Sequence, residues 1–214
     1  MEGLRRTFFI YETREFVMRY IMSWANFRGL QGDYMEFGVF EGKSFVQAFH
    51  FARFQRLSRM HFYAFDSFTG YPPLYDIDKQ GGYLKEGDYK CDQKTFIGNI
   101  KRGGVDSKRV TVMPGWFADL KKNAQGKIKE DTLASVVWFD CDLYISTLQA
   151  LEFVEDYIAP GTIIVFADWF LENGSSDSGQ PRAVREWLER NPNILLNEFA
   201  NYFGKKIFIV SKPA

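Results

Sequence analysis

Cysteine and histidine are scarce in this 214-residue chain, at two residues each. With only Cys91 and Cys141 available, neither a disulfide framework nor a zinc motif can be built, and buried free thiols are the plain expectation. Net charge is missing as well. The 27 Lys and Arg balance the 27 Asp and Glu, so no global field draws the chain to nucleic acid or to an anionic membrane. No Pro/Gly/Ser-rich linker or charge block divides the sequence, so one domain spanning residues 1–214 is expected, long enough to bury a large core. Long apolar runs are absent too. Near the N-terminus only Phe8-Phe9-Ile10-Tyr11 is continuously apolar, too short for a signal peptide or a membrane span, so a soluble, cytoplasmic protein is expected.

What the chain does have is aromatic side chains, including 22 Phe, which suit a well-packed core and aromatic-lined clefts. Within an N-terminal helical segment over residues 1–30, the spacing of Phe16, Val17, Tyr20, Ile21 and Trp24 predicts an amphipathic helix from Thr13 to Phe27, packed over a sheet edge. Strands are expected at Tyr34–Phe40, His61–Phe65 and Arg109–Met113, with helices at Phe45–Leu57, around Thr95–Ile100, at Ser146–Tyr157 and at Pro181–Arg190. Two segments without periodicity, residues 70–95 and 170–181, read as lid loops. At the end, the runs Ile194–Ala200 and Lys205–Val210 are joined by only four residues, Asn201 to Gly204. Parallel strands need a crossover of about a dozen residues or more, so this pair must be antiparallel. The expected fold is α/β: a Rossmann-like, mostly parallel seven-stranded sheet with a reversed last strand and helices on both faces.

Chemistry concentrates between Val136 and Asp168, which reads as strand, acidic turn, helix and second strand. Asp140, Asp142 and Asp168 fall at the carboxyl ends of those strands, where open α/β sheets bind ligands. If the backbone stays extended past Asp140, residues 140 and 142 point to the same side. Such hard oxygen ligands suit Mg²⁺ or Ca²⁺, and three converging acids would repel one another without a cation. Earlier in the chain, Glu36-Phe37-Gly38-Val39-Phe40-Glu41-Gly42 occupies a strand-to-helix turn where dinucleotide folds carry three glycines, but it has acids at 36 and 41. Those acids disfavour a pyrophosphate and suit a ligand with ammonium, sulfonium and ribose hydroxyls, such as S-adenosylmethionine. Asp66, followed by Ser67, is placed to accept from a ribose, and Gly115-Trp116-Phe117 could flank an adenine ring.

In order, Met35 to Ser44, Phe65 to Gly70, Gly115 to Phe117, Asp140 to Thr147 and Phe166 to Trp169 resemble the class I S-adenosylmethionine-dependent methyltransferases. Among these they are most similar to the macrocin-type sugar O-methyltransferases, over roughly residues 30 to 190. The resemblance implies a cofactor site of Glu36, Gly38, Phe40, Gly42, Ser44, Asp66, Ser67, Gly115, Trp116 and Asp140. It also implies Mg²⁺ on Asp140 and Asp168, Asp142 as general base, and a small-molecule or glycan acceptor; a homo-oligomer is left open. One departure stands out. Where the family carries two adjacent acids after the fifth strand, this chain has Ala167 before Asp168, and Cys141 stands between the two aspartates. The alternatives are a nicotinamide-dependent oxidoreductase, or a protein that binds S-adenosylmethionine without catalysis.

Overall fold

The computed structural model describes residues 2–79 and 84–213, with side chains from Thr13 onward. Seven strands form one sheet: β1 (Asp33–Phe37), β2 (Phe62–Asp66), β3 (Val110–Pro114), β4 (Ala134–Phe139), β5 (Ile163–Phe166), β6 (Leu195–Tyr202) and β7 (Lys205–Ser211). Their order is β3-β2-β1-β4-β5-β7-β6. Neighbours from β3 to β5 pair in parallel, while β7 runs antiparallel to both β5 and β6. The expected reversed last strand is therefore present. Its hairpin is tighter than expected, because the β6–β7 pairing runs on to Tyr202 and Lys205 and makes Phe203 and Gly204 the two turn residues; both have positive φ, as a two-residue hairpin turn requires.

Alternation along the strands divides the core. Tyr34, Phe62, Val136, Trp138, Ile163, Val165 and Ile207 face α1 (Glu2–Phe27), α2 (Lys43–Phe54) and α3 (Gln93–Arg102). Met35, Phe37, Tyr63, Phe65, Val137, Phe139, Ile164 and Phe166 face α4 (Leu120–Asn123), α5 (Tyr144–Val154) and α6 (Gly179–Arg190). Helix α1 starts at Glu2 rather than Thr13 and lies over a sheet face rather than an edge. The apolar period marked only the part that meets the sheet: Val17, Met18, Ile21, Met22 and Ala25 are buried, while Phe16 and Tyr20 reach sideways to stack on Tyr202 and Phe199 of β6. Among the described residues, no helix is long and apolar enough to cross a membrane.

The second face carries a row of rings across four adjacent strands. Phe65, Phe37, Phe139 and Phe166 are register partners and stack nearly parallel, with centroids 4.5, 5.1 and 4.9 Å apart. All four are fully buried. Truncating the middle of this row, as Phe139→Ala, should cost about 3–5 kcal/mol in urea unfolding, against less than about 0.5 for the exposed Phe54→Ala.

Candidate active site

Immediately beyond each ring of that row, the chain leaves the sheet at one level. The backbone pairing runs one residue further, with the N–H groups of Gly38, Asp140 and Ala167 donating to the carbonyls of Phe65, Phe37 and Phe139 at 2.8–2.9 Å. A Cβ on Gly38 would meet the Asp140 carbonyl at 2.1 Å, and its φ is +85°, so only glycine fits this close approach. Above these strand ends opens a cavity of about 670 Å³, within the usual range for ligand sites. Its walls include Gly38, Phe40, Ser44, Asp66, Ser67, Gly115, Trp116, Asp140, Asp142 and Asp168.

Glu36 and Gly42 do not line the cavity. Gly42 precedes α2 in a left-handed conformation, and a Cβ there would press on Phe96 and Ile100 at 2.9 Å. Glu36 is fully buried beneath the loop, with Tyr34 Oη donating to Oε2 at 2.6 Å and Ser44 Oγ to Oε1 at 2.5 Å. Burial pushes this carboxyl up to about 8, despite those two hydroxyls. Glu41, in turn, pairs with Lys43 at 3.0 Å. Of the two acids expected to repel a phosphate, burial thus favours the neutral form of one, and the other has a cationic partner.

Asp66 organises the same loop. Its Oδ2 accepts from the N–H groups of Val39 and Phe40 at 2.9 and 3.0 Å, and its Oδ1 from Phe68 at 2.8 Å. Burial raises its pKa against those three bonds. A carboxylate has about four acceptor positions, so one remains for a cavity ligand.

The three aspartates do converge, but the chain does not stay extended. Asp142 adopts φ +51°, just before α5 begins at Tyr144. The Asp142 N–H reaches Asp168 Oδ2 at 3.4 Å, and Tyr71 Oη donates to the Asp142 carboxylate. Burial pushes Asp142 up to about 6, with Asp140 adding to the rise and the Tyr71 hydroxyl opposing it, and drives Asp168 well above the usual carboxylate range, with Asp142 and Asp140 adding to that rise. Gln180, also buried, accepts from the Asp168 N–H at 2.9 Å and donates to the Phe139 carbonyl, so the far end of the 170–181 segment is anchored rather than free.

From segment 70–95, Tyr71, Pro72, Pro73, Tyr75, Asp88 and Tyr89 line the cavity wall. Tyr71 pairs through its backbone with Gly87 and Asp88. Asp78 accepts from the Tyr144 N–H at 2.6 Å and so pins the segment to the start of α5. The loop ends earlier than expected, because Asp92 caps α3 by accepting from Thr95. Residues 80–83 of this expectation lie outside the described residues.

Two cations stand among the acids. Arg14 Nη2 from α1 lies 2.9 Å from both oxygens of Asp140, and Lys205, at the start of β7, is only 6% exposed. Burial lowers the Lys205 pKa, as does Arg14, while Asp140 and Asp168 raise it. These residues do not fit the expected Mg²⁺ site. Asp140 is spent on a guanidinium, position 167 offers a methyl group, and among the described residues no three His, Cys, Asp or Glu side chains are arranged to hold a metal. The helix pattern carried no sign of Arg14's role, and Lys205 read as an ordinary strand residue.

With this geometry in place, comparison with known proteins is informative. A family model for macrocin-O-methyltransferases matches residues 10–189. A tetracenomycin-type rhamnosyl 4'-O-methyltransferase of Streptomyces olivaceus is 27% identical over 150 residues, covering 67% of this chain and 55% of that protein. The mycinamicin III 3''-O-methyltransferase of Micromonospora griseorubida is 25% identical over 148 residues, covering 66% and 56%. The chain thus spans little more than half the length of these relatives. Among solved structures, the O-methyltransferase NovP superposes with a TM-score of 0.71 at 18% identity, over 92% of this chain and 79% of its own.

Glu36 generates a pH prediction. Its pKa rises from an ordinary 4.5 to about 8 on folding, so its contribution to stability is fully present below pH 4.5 and is lost as pH rises through about 8. Melting curves at about pH 5 and pH 9 should therefore show wild type losing several degrees more than Glu36→Gln. Parallel losses in the two proteins would mean that Glu36 titrates normally.

Proposed function

The chain belongs to the macrocin-O-methyltransferase family, and on that premise we propose that it transfers the methyl group of S-adenosylmethionine to a sugar hydroxyl of a glycoside or polysaccharide. The observation that carries this reading is the acid-rich cavity at the carboxyl ends of β1, β2, β4 and β5, lined by the matched segment and by Lys205. A sugar acceptor is supported by the two relatives, each named for methylation at a primed, sugar-borne position. S-adenosylmethionine, when bound, supplies an electrophilic methyl group on a sulfonium.

The loop from Gly38 to Ser44 is suited to the amino-acid part of that cofactor, Asp66 and Ser67 to its ribose, and Gly115 and Trp116 to its adenine. Ser44 lines the cavity while its hydroxyl donates to the buried Glu36, which fixes that side chain beneath the loop. The sulfonium charge suits a wall that carries Asp140, Asp142 and Asp168. Asp142, steadied by Tyr71, serves as general base. With the sulfonium as methyl donor and leaving group, Asp142 would take the proton of the acceptor hydroxyl as that oxygen is methylated. Tyr71, Tyr75 and Tyr89 offer ring faces for an acceptor sugar at the mouth. Magnesium has no part in this reading, because Asp140 is engaged by Arg14.

A nicotinamide-dependent oxidoreductase is disfavoured by the family assignment. Two measurements test the proposal against a non-catalytic binder. S-adenosylhomocysteine should raise the melting temperature, and labelled methyl from S-adenosylmethionine should appear in a panel of glycosides and cell-envelope extracts. Asp142→Asn should lower turnover by about 10²- to 10⁴-fold while cofactor binding persists. Unchanged turnover in that variant removes Asp142 as base. A cofactor-bound protein that labels no acceptor supports the non-catalytic alternative.

A further inference from the structure

We propose that Arg14 and Lys205 are the resident cations of this site, taking the place that a divalent ion would occupy at Asp140 and Asp168, so that methyl transfer by this chain needs no metal. The second half of the statement rests on the function proposed above; the first does not.

The argument starts from charge. Asp140, Asp142 and Asp168 share one cavity wall, and buried carboxylates without a counter-charge are strongly disfavoured. A protein can meet that constraint with a proton, with a recruited ion or with its own side chains. Here the chain brings in two of its own from opposite ends. One nitrogen of Arg14 bridges both Asp140 oxygens at 2.9 Å. The Arg14 side chain is only 26% exposed, and its Nε is buried with no hydrogen-bond partner. That burial, together with the ion pair to Asp140, distinguishes Arg14 from a surface arginine resting near the site.

Lys205 is the second cation. At 6% exposure it is far more buried than lysine ordinarily is, and it lines the same cavity as Asp140 and Asp168. It also lies beyond the segment matched by the family model. The third observation is Ala167. A methyl group, 7% exposed, occupies the position beside Asp168 where another carboxylate would complete an oxygen cage. Replacing an acid with alanine removes a ligand, and adding Arg14 removes the lone pairs of the next one. Any divalent ion at Asp140 would sit directly against a fixed positive charge.

In this account Asp140 anchors Arg14, and Arg14 is a positioning residue. The pair holds the electrostatic balance around Asp142 without touching the transferred methyl group.

The test uses the full chain, stripped on a chelating resin, with Mn²⁺ as the probe. Electron paramagnetic resonance of free Mn²⁺ should be unchanged by added wild-type protein. Turnover on the best glycoside should agree within about twofold in EDTA and in Mg²⁺. Arg14→Met should lower kcat by about tenfold or more with the KM for S-adenosylmethionine little moved, and Arg14→Lys should recover part of the loss. Loss of free Mn²⁺ signal at one ion per chain would overturn the proposal, as would turnover abolished by EDTA and restored by Mg²⁺. The Mn²⁺ titration decides the point even if Arg14→Met fails to fold or no acceptor is found. Absence of any methyl transfer, by contrast, counts against the proposed function alone.

Discussion

The site depends on four parallel strands that stop at the same level. Register pairs Phe65, Phe37, Phe139 and Phe166 side by side, and the next residue of each strand is the first residue of the cavity floor: Asp66, Gly38, Asp140 and Ala167. A slip of one residue in any of these strands would turn its phenylalanine out of the ring layer and shift its cavity-floor residue, so core packing and site geometry are set by one constraint. Gly38 shows how tight that constraint is. The carbonyl of Asp140 already occupies the space that any side chain at 38 would need.

Placing acids at those strand ends creates an electrostatic problem that the fold settles in several ways. Glu36 is kept as a buried neutral acid by desolvation, Asp66 is satisfied by three backbone N–H groups, and Asp140 faces a guanidinium. Asp142 and Asp168 are left closest to one another, with Tyr71 and the Asp142 N–H supplying hydrogen bonds. This divides the carboxylates by environment rather than by residue type. The one bonded to Tyr71, a tyrosine of the cavity wall, is the one suited to exchange a proton with an acceptor.

Much of this was legible in the sequence because strands and their ends are local. Apolar runs ending in Asp66, Asp140 and Asp168 mark strand termini by composition alone, and the short link after Tyr202 dictates an antiparallel pair. What could not be read is contact across the chain. Arg14 meets Asp140 over a separation of 126 residues, and in the helix pattern it is only a polar residue between Thr13 and Val17. Lys205, the first residue of β7, is buried in the cavity wall beside groups far from it in the chain. The left-handed turn at Asp142 likewise has no local signal, since aspartate tolerates that conformation without demanding it. Magnesium was expected from three converging acids, an inference that holds only where no side-chain cation reaches them first.

Diffraction from crystals grown with S-adenosylhomocysteine and Mn²⁺, recorded at the manganese absorption edge, tests the central claim most directly. The account predicts S-adenosylhomocysteine lying from the Gly38–Ser44 loop towards Gly115, the Arg14 guanidinium still on Asp140, and no anomalous peak among the three aspartates. A manganese peak on Asp140 and Asp168, with Arg14 turned away, would contradict it.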